Sequence, residues 1–320
     1  VTATQVYPAS AAERTRWIVE ARGAKNAVRS DRAYAQMLEQ EPLADGTIAD
    51  VATIFLTNRE CPWRCVMCDL WRNTAPSDPG SIPAQIDRAL HELSGSRKAT
   101  VLKLYNSGSF FDSGAIPKSD WPAIAALCRR FDHVILECHP RLISPQVLEF
   151  AEMLTGSLEI AMGLETTHPQ AVESINKRAT IEDFRRATAF LRANAIAVRT
   201  FLLVGVPFIE PQEQEYWLQQ SINFAFAEGS DVISLIPTRR GNGALDRLEQ
   251  IGKFREPDLR ELECGQQFGL GLRRGRTFAD TWDIERFSRC NKCYDVRFDR
   301  IATMNLTQKV LPPVECGCGS

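Results

Sequence analysis

A chain of 320 residues with 44 % apolar and 24 % charged residues can bury a large core, which excludes a polypeptide dominated by disorder. Its formal charge of −2 argues against a strongly cationic surface that would grip nucleic acid through phosphates, while leaving room for a local basic patch. No apolar run reaches the ~18 residues of a membrane span, the start Val1-Thr-Ala-Thr-Gln lacks a signal-peptide pattern, and ten cysteines without such a signal point to reduced thiols in a cytoplasmic protein.

In chain order, residues 10–41 mix polar and apolar side chains without Pro or a Gly pair and read as amphipathic helices, an N-terminal cap over 1–48. From residue 50 short β-branched runs alternate with helical periodicity. Strands are expected at 51–57, 100–105, 133–137, 158–162, 197–204 and 232–236. The helices between them fall near 83–93, 121–130, 145–154, 181–193 and 212–227. This alternation predicts an α/β chain with a parallel barrel over 49–240, whose chemistry belongs at the carboxyl ends of the strands. Beyond 240 the pattern weakens into a C-terminal extension, 241–320, with a helix over 256–268.

The first strand runs into Cys61-Pro-Trp-Arg-Cys65-Val-Met-Cys68. Three thiols at this spacing on one short loop can meet three corners of a cuboidal iron-sulfur cluster. A zinc knuckle would want a fourth ligand nearby, and none of the four histidines (His91, His133, His139, His168) lies within twenty residues of the triplet. Two other readings stay open here: three core cysteines, or three zinc ligands completed from a distance.

The triplet resembles the motif of the radical S-adenosylmethionine (SAM) superfamily, and the six βα units resemble its partial (β/α)6 barrel of TIM type. The resemblance implies a 4Fe-4S cluster on Cys61, Cys65 and Cys68 that binds SAM at its open iron. It further implies reductive cleavage of SAM to a 5′-deoxyadenosyl radical, which abstracts hydrogen from a substrate, and an electron donor of reductase, ferredoxin or flavodoxin type. Asn106, Ser107, Gly108 and Ser109 then take the place of the Gly-rich turn that meets SAM's amino group, without its familiar Gly-Gly-Glu form. Glu137 or Glu165 would bind the ribose, Glu165 by preference, with an arginine salt bridge as the other role for Glu137. Val204, Gly205 and Pro207 would flank adenine or simply form a turn. Tyr105 and His139 are candidates for substrate-side acid or base chemistry, His139 otherwise being a structural residue.

Tyr105-Asn-Ser-Gly-Ser-Phe-Phe-Asp112, Met162-Gly-Leu-Glu165 and Ile175-Asn-Lys177 are similar to the group around the archaeosine synthase radical SAM subunit and the elongator-type proteins. The implied substrate is a tRNA nucleoside, with a small metabolite or natural-product precursor as the alternative and a non-catalytic metal scaffold as a remote one.

The tail carries Cys290-Asn-Lys-Cys293 and, after 22 intervening residues, Cys316-Gly-Cys318, two close pairs that can build one four-thiolate site. Zinc and a second 4Fe-4S cluster use the same ligands; the expectation leans to the cluster because the chain already carries one. Between Arg273 and Arg300 eight basic residues (Arg273, Arg274, Arg276, Arg286, Arg289, Lys292, Arg297, Arg300) face five acidic ones, a mild positive patch or a solvated mixed face. Cys128, Cys138 and Cys264 read as core or wall residues.

Overall fold

The computed structural model describes residues 6–76, 78–95 and 97–318. Its sheet follows chain order, β1 (Ala35–Pro42), β2 (Ile48–Leu56), β3 (Val101–Asn106), β4 (His133–Glu137), β5 (Ser157–Glu165), β6 (Ala197–Val204), β7 (Val232–Pro237) and β8 (Arg276–Ala279). Strand β1 runs antiparallel to β2, and every later neighbour is parallel. Parallel neighbours require crossovers, and helices supply them. They are α1 (Ala11–Ala21) before the sheet, then α2 (Ser81–Glu92), α3 (Trp121–Cys128), α4 (Gln146–Ala151), α5 (Pro169–Ser174), α6 (Ile181–Ala193) and α7 (Gln214–Glu228). After β7 come α8 (Ala244–Gln250), α9 (Leu259–Leu272) and, past β8, α10 (Tyr294–Thr307). The result is a curled, partly open barrel.

The six expected strands are β2 to β7. The sheet extends one strand further at each edge. Residues 35–42, expected to be helical, form β1 because Asp45-Gly46 turns the chain back on itself. Gly46 adopts φ +85°, Asp45 Oδ1 accepts from Thr47 N, and the hairpin closes from Leu43 N to Thr47 O. Strand β8 lies past residue 240, so the βα pattern runs on into the stretch read as an extension.

Alternation along the strands sorts the side chains. Ala52, Ile54 and Leu56 on β2, with Leu102 and Leu104 on β3, join the apolar layer beneath the helices. The other face lines the barrel. Val101, Lys103 and Tyr105 follow one another up β3, and they sample an apolar, a charged and an aromatic zone.

The charged zone holds the two edges of the sheet. Arg199 on β6 donates from Nε to Glu159 Oε1 (2.6 Å) and from Nη2 to Glu41 Oε2 (2.9 Å). Lys103 pairs with Glu41 and, at 2.9 Å, with Glu39. Arg276 on β8 lies 3.6 Å from Glu159 and donates to the Pro42 carbonyl of β1 (3.0 Å), while α10 packs against both β8 and β1. Burial opposes the charge on Glu41, yet Arg199 and Lys103 hold its carboxyl down at about 2.

Replacing Arg199 by Met leaves Glu41 and Glu159 short of their shared partner and should cost about 3–5 kcal/mol in denaturant unfolding near pH 7. Glu41 is depressed in the fold, so its contribution is present above its ordinary value of 4.5 and is lost as pH falls toward about 2. The deficit of Arg199→Met should therefore narrow over that window.

Candidate functional site

Past the end of β2 the chain enters the cysteine loop, and five separate segments hold it over the barrel mouth. Asn58 clasps the backbone of Ser107, accepting from its N–H (3.0 Å) and donating to its carbonyl (3.1 Å). Glu60 collects Arg22 (2.6 Å), Arg64 (3.2 Å) and Lys25 (3.3 Å). Trp63 stacks flat on His139, with centroids 3.8 Å apart and an interplanar angle of 11°. From beyond α5, Asn176 Nδ2 donates to Arg64 O (2.8 Å) and Ile175 O accepts from Val66 N (2.9 Å). From beyond β7, Asn242 Nδ2 donates to Val66 O (2.8 Å) and Cys68 O (3.3 Å), while its Oδ1 caps α8 at Leu245 N (2.8 Å).

Burial pushes the thiols of Cys61 and Cys65 up to about 11 and about 12, and that of Cys68 well above its ordinary value. Thiolates at these positions need a positive centre among them, which a metal cluster provides. Among the described residues the triplet is not a group whose ligand atoms all lie within 4.8 Å of one another.

At the end of β3, Asn106 is 1 % exposed, and neither Oδ1 nor Nδ2 has a partner. An unpaired buried amide costs about 1–3 kcal/mol, so this side chain has the character of a ligand group. Gly108 lies against the cysteine loop: with φ +118°, a Cβ there would stand 2.9 Å from Cys61 Cβ and 3.1 Å from its Sγ. Two polar groups of this turn are already engaged. Asn58 holds Ser107, and Ser109 Oγ donates to Cys138 Sγ (3.1 Å) and accepts from His139 N (3.2 Å).

Glu165 ends β5 at φ +67° beside a break in register and pairs with Lys177. Gly163 makes room for that pair, since a Cβ there would meet Lys177 Nζ at 2.0 Å and Glu165 Oε1 at 2.1 Å. Burial works against the charge of Lys177, but Glu165, Cys65 and Glu137 hold it above its ordinary value. Glu137 is pushed up to about 8 by burial, against the pull of Lys177, and makes no arginine salt bridge among the described residues.

His139 is fully engaged. Its Nδ1 accepts from Arg141 N (3.2 Å), which leaves Nε2–H to donate to Lys177 O (3.1 Å). Burial, then Lys177 and Arg141, depress it to about 3, so the ring is neutral and braces Trp63. Tyr105 forms an aromatic floor with Phe55 and Phe201 (5.8 Å each), and Trp282 leans on Phe55 from the rim.

The Val204–Pro207 segment presents less to a ligand than expected. The Val206 N–H is already committed, donating to Gln214 Oε1 (3.0 Å), and Gln214 Nε2 donates back to Val206 O (2.8 Å). Gly205, at φ +75°, packs on Pro257, where a Cβ would meet Cδ at 2.6 Å. Orphaned polar atoms nearby include Arg239 Nε and Thr238 Oγ1, the backbone N of Thr238 donating to Val204 O (2.9 Å).

The tail cysteines do meet: the ligand atoms of Cys290, Cys293, Cys316 and Cys318 all lie within 4.8 Å of one another. The positive patch does not form as one surface. Arg297 and Arg300 are buried on Glu263, Arg276 turns into the barrel seam, and Arg286 is tied to Glu256. Cys128 and Cys138 are core residues, whereas Cys264 is exposed on α9. Sequence reasoning missed Asn58, Trp63, Asn176 and Asn242 as holders of the loop; Asn242, between two glycines, carried the clearest local signal.

No protein-family model matches the chain. It is 24 % identical over 307 residues to archaeosine synthase subunit beta of Methanosarcina acetivorans, covering 86 % of this chain and 85 % of that one. The subunit of the same name from Thermococcus kodakarensis is 27 % identical over 205 residues, covering 61 % of this chain and 63 % of its own length. The structure of methylornithine synthase superposes with a TM-score of 0.51 at 12 % identity, over 86 % of this chain and 73 % of that one, which places the two in one fold. Among the described residues no helix is long and apolar enough to cross a membrane.

Asn242→Ala removes the α8 cap and two tethers of the loop. Alkylation of Cys65 and Cys68 by iodoacetamide should then speed up by about tenfold or more, read by mass spectrometry of metal-free protein under native conditions.

Proposed function

We propose that this chain is a radical SAM enzyme, with Cys61, Cys65 and Cys68 holding a 4Fe-4S cluster and the adjoining strand ends holding SAM. The observation that carries the reading is the orphaned Asn106 carboxamide, buried at the mouth one turn from Gly108 and its contact with Cys61. When bound, the cluster and SAM supply reductive cleavage to methionine and a 5′-deoxyadenosyl radical that takes hydrogen from the substrate.

The chain's own residues orient and insulate. Asn106 offers a donor and an acceptor to the polar amino-acid end of SAM. Glu137, with its carboxyl at about 8, is largely protonated at neutral pH and can donate an O–H, while Lys177 keeps Glu165 in place at the bulge. Phe55, Tyr105 and Phe201 close the barrel beneath the mouth and keep water from below. His139 acts through Trp63 as a positioning residue.

The substrate we propose is a nucleoside of tRNA, supported by the relatives named archaeosine synthase and by the motifs around Tyr105, Glu165 and Lys177. A reductase, ferredoxin or flavodoxin supplies the electron. A small metabolite is the second reading, favoured by the loss of the tail's basic patch on folding.

Anaerobic incubation with dithionite and SAM should release 5′-deoxyadenosine, and C61A/C65A/C68A should release none. Asn106→Ala should raise the SAM concentration for half-saturation about tenfold, which corresponds to ~1.4 kcal/mol for a ligand group deprived of its hydrogen-bonding partner. Release of 5′-deoxyadenosine by the triple variant would overturn the cluster assignment. A yield unchanged by added tRNA would favour the small metabolite.

A further inference from the structure

The tail cysteines come from two segments that the fold brings back together. Cys293 is the N-cap of α10 and Cys290 lies in the turn before it, while Cys316 and Cys318 end the stretch that returns from the far end of that helix. Arg300 guides the return, donating from Nε to Pro312 O (2.7 Å) and from Nη2 to Leu311 O (2.7 Å). Cys290 Sγ then stands 4.0 Å from Cys316 Sγ, and Cys293 Sγ stands 3.8 Å from Cys318 Sγ.

These separations discriminate between metal centres. Four thiolates about 2.3 Å from one tetrahedral ion stand about 3.8 Å from each other. On a cubane each cysteine binds its own iron at a corner, and the sulfurs spread to about 6 Å. The observed spacing is that of a single ion, against the expectation of a second cluster. A disulfide would need the sulfurs at about 2 Å.

A second observation concerns charge. Four thiolates around a divalent ion leave two negative charges uncompensated, and Arg297 Nε donates to Cys293 Sγ at 3.3 Å while its guanidinium stays anchored on Glu263 of α9. Such N–H···S bonds stabilise a thiolate shell and fix its orientation.

We infer that Cys290, Cys293, Cys316 and Cys318 bind one zinc ion. With four sulfur ligands and no open position, its role is to fasten. It pins the returning tail and the turn before α10 to the helix that covers the seam between β8 and β1. The stretch just ahead of that turn forms the rim of the mouth, where Trp282 meets Phe55 and Asp280 holds Arg239 (2.7 Å). The ion thereby stabilises one wall of the site.

Metal analysis of the full-length C61A/C65A/C68A chain, purified anaerobically, tests this apart from the triplet. The expected result is about one zinc per chain and no iron. Exchange with Co2+ should give the intense absorption of a tetrahedral tetrathiolate. In the wild-type chain, C316S/C318S should lose the zinc and keep the triplet's iron, so the test stands even where the triplet variant fails to fold. About four irons on the triplet variant, one iron, or no metal at all would each overturn the proposal. Wild-type protein with zinc but no iron would instead count against the radical SAM reading and leave this one intact.

Discussion

Glu41, Lys103, Glu159 and Arg199 are buried together inside the barrel, and that arrangement is tolerable only in one shape of the sheet. A lone ionised group in that interior would cost several kcal/mol, and each of these is repaid by opposite charges that come from other strands. Glu41 sits on β1, Lys103 on β3, Glu159 on β5 and Arg199 on β6, so the four can satisfy one another only when the sheet curls enough for its near and far strands to meet across the interior. Arg276, reaching from β8 to the carbonyl of Pro42, extends the same requirement to the edges. Apolar packing under the helices stabilises many sheets; the charged zone selects this curvature.

Curvature in turn decides what the strand ends can do. Leu56, Asn106, Glu137 and Glu165 close β2, β3, β4 and β5 at the same rim, so loops far apart in sequence become neighbours there. The cysteine loop exploits this by adding restraints from several of them to the bonds it makes within itself. Two glycines mark close approaches there: Gly108 against Cys61, and Gly163 beneath the Lys177–Glu165 pair. Restraints crowd around the thiols, and among the buried polar groups left without partners, Thr57 Oγ1, the Asn106 carboxamide and Thr238 Oγ1 lie at the ends of barrel strands. A rim so fully bonded, with a few orphaned groups among satisfied ones, is organised to receive something polar.

Much of this was legible in the residues, for physical reasons. Runs such as Val101-Leu-Lys-Leu-Tyr-Asn106 announce strands because their side chains suit a pleated surface, and the tail's two close cysteine pairs announce a place where four thiols meet. Strand β1 was hidden by the device that matters most, since Glu39 and Glu41 look like the solvent face of a helix until Lys103 and Arg199 are brought to them from 62 and 158 residues away. The tail's basic stretch misled in the same way: linear charge counts cannot anticipate that Glu263 will bury Arg297 and Arg300. Strand β8 is four residues long and gives periodicity little to register.

The two thiol sites show why ligand count alone does not assign a metal. Both are cysteine sets, yet their surroundings diverge. The triplet's cysteines are half-buried and lie against Gly108, two residues past the Asn106 carboxamide that has no partner among the described residues. The tail's four sulfurs are drawn to within 4.8 Å, shielded by an arginine bond and anchored to a helix that spans the seam. A closed shell cannot bind substrate, and a structural fastener gains nothing from an open one. In the proposed reading the triplet serves the chemistry, and the tight tail set holds the wall beside it.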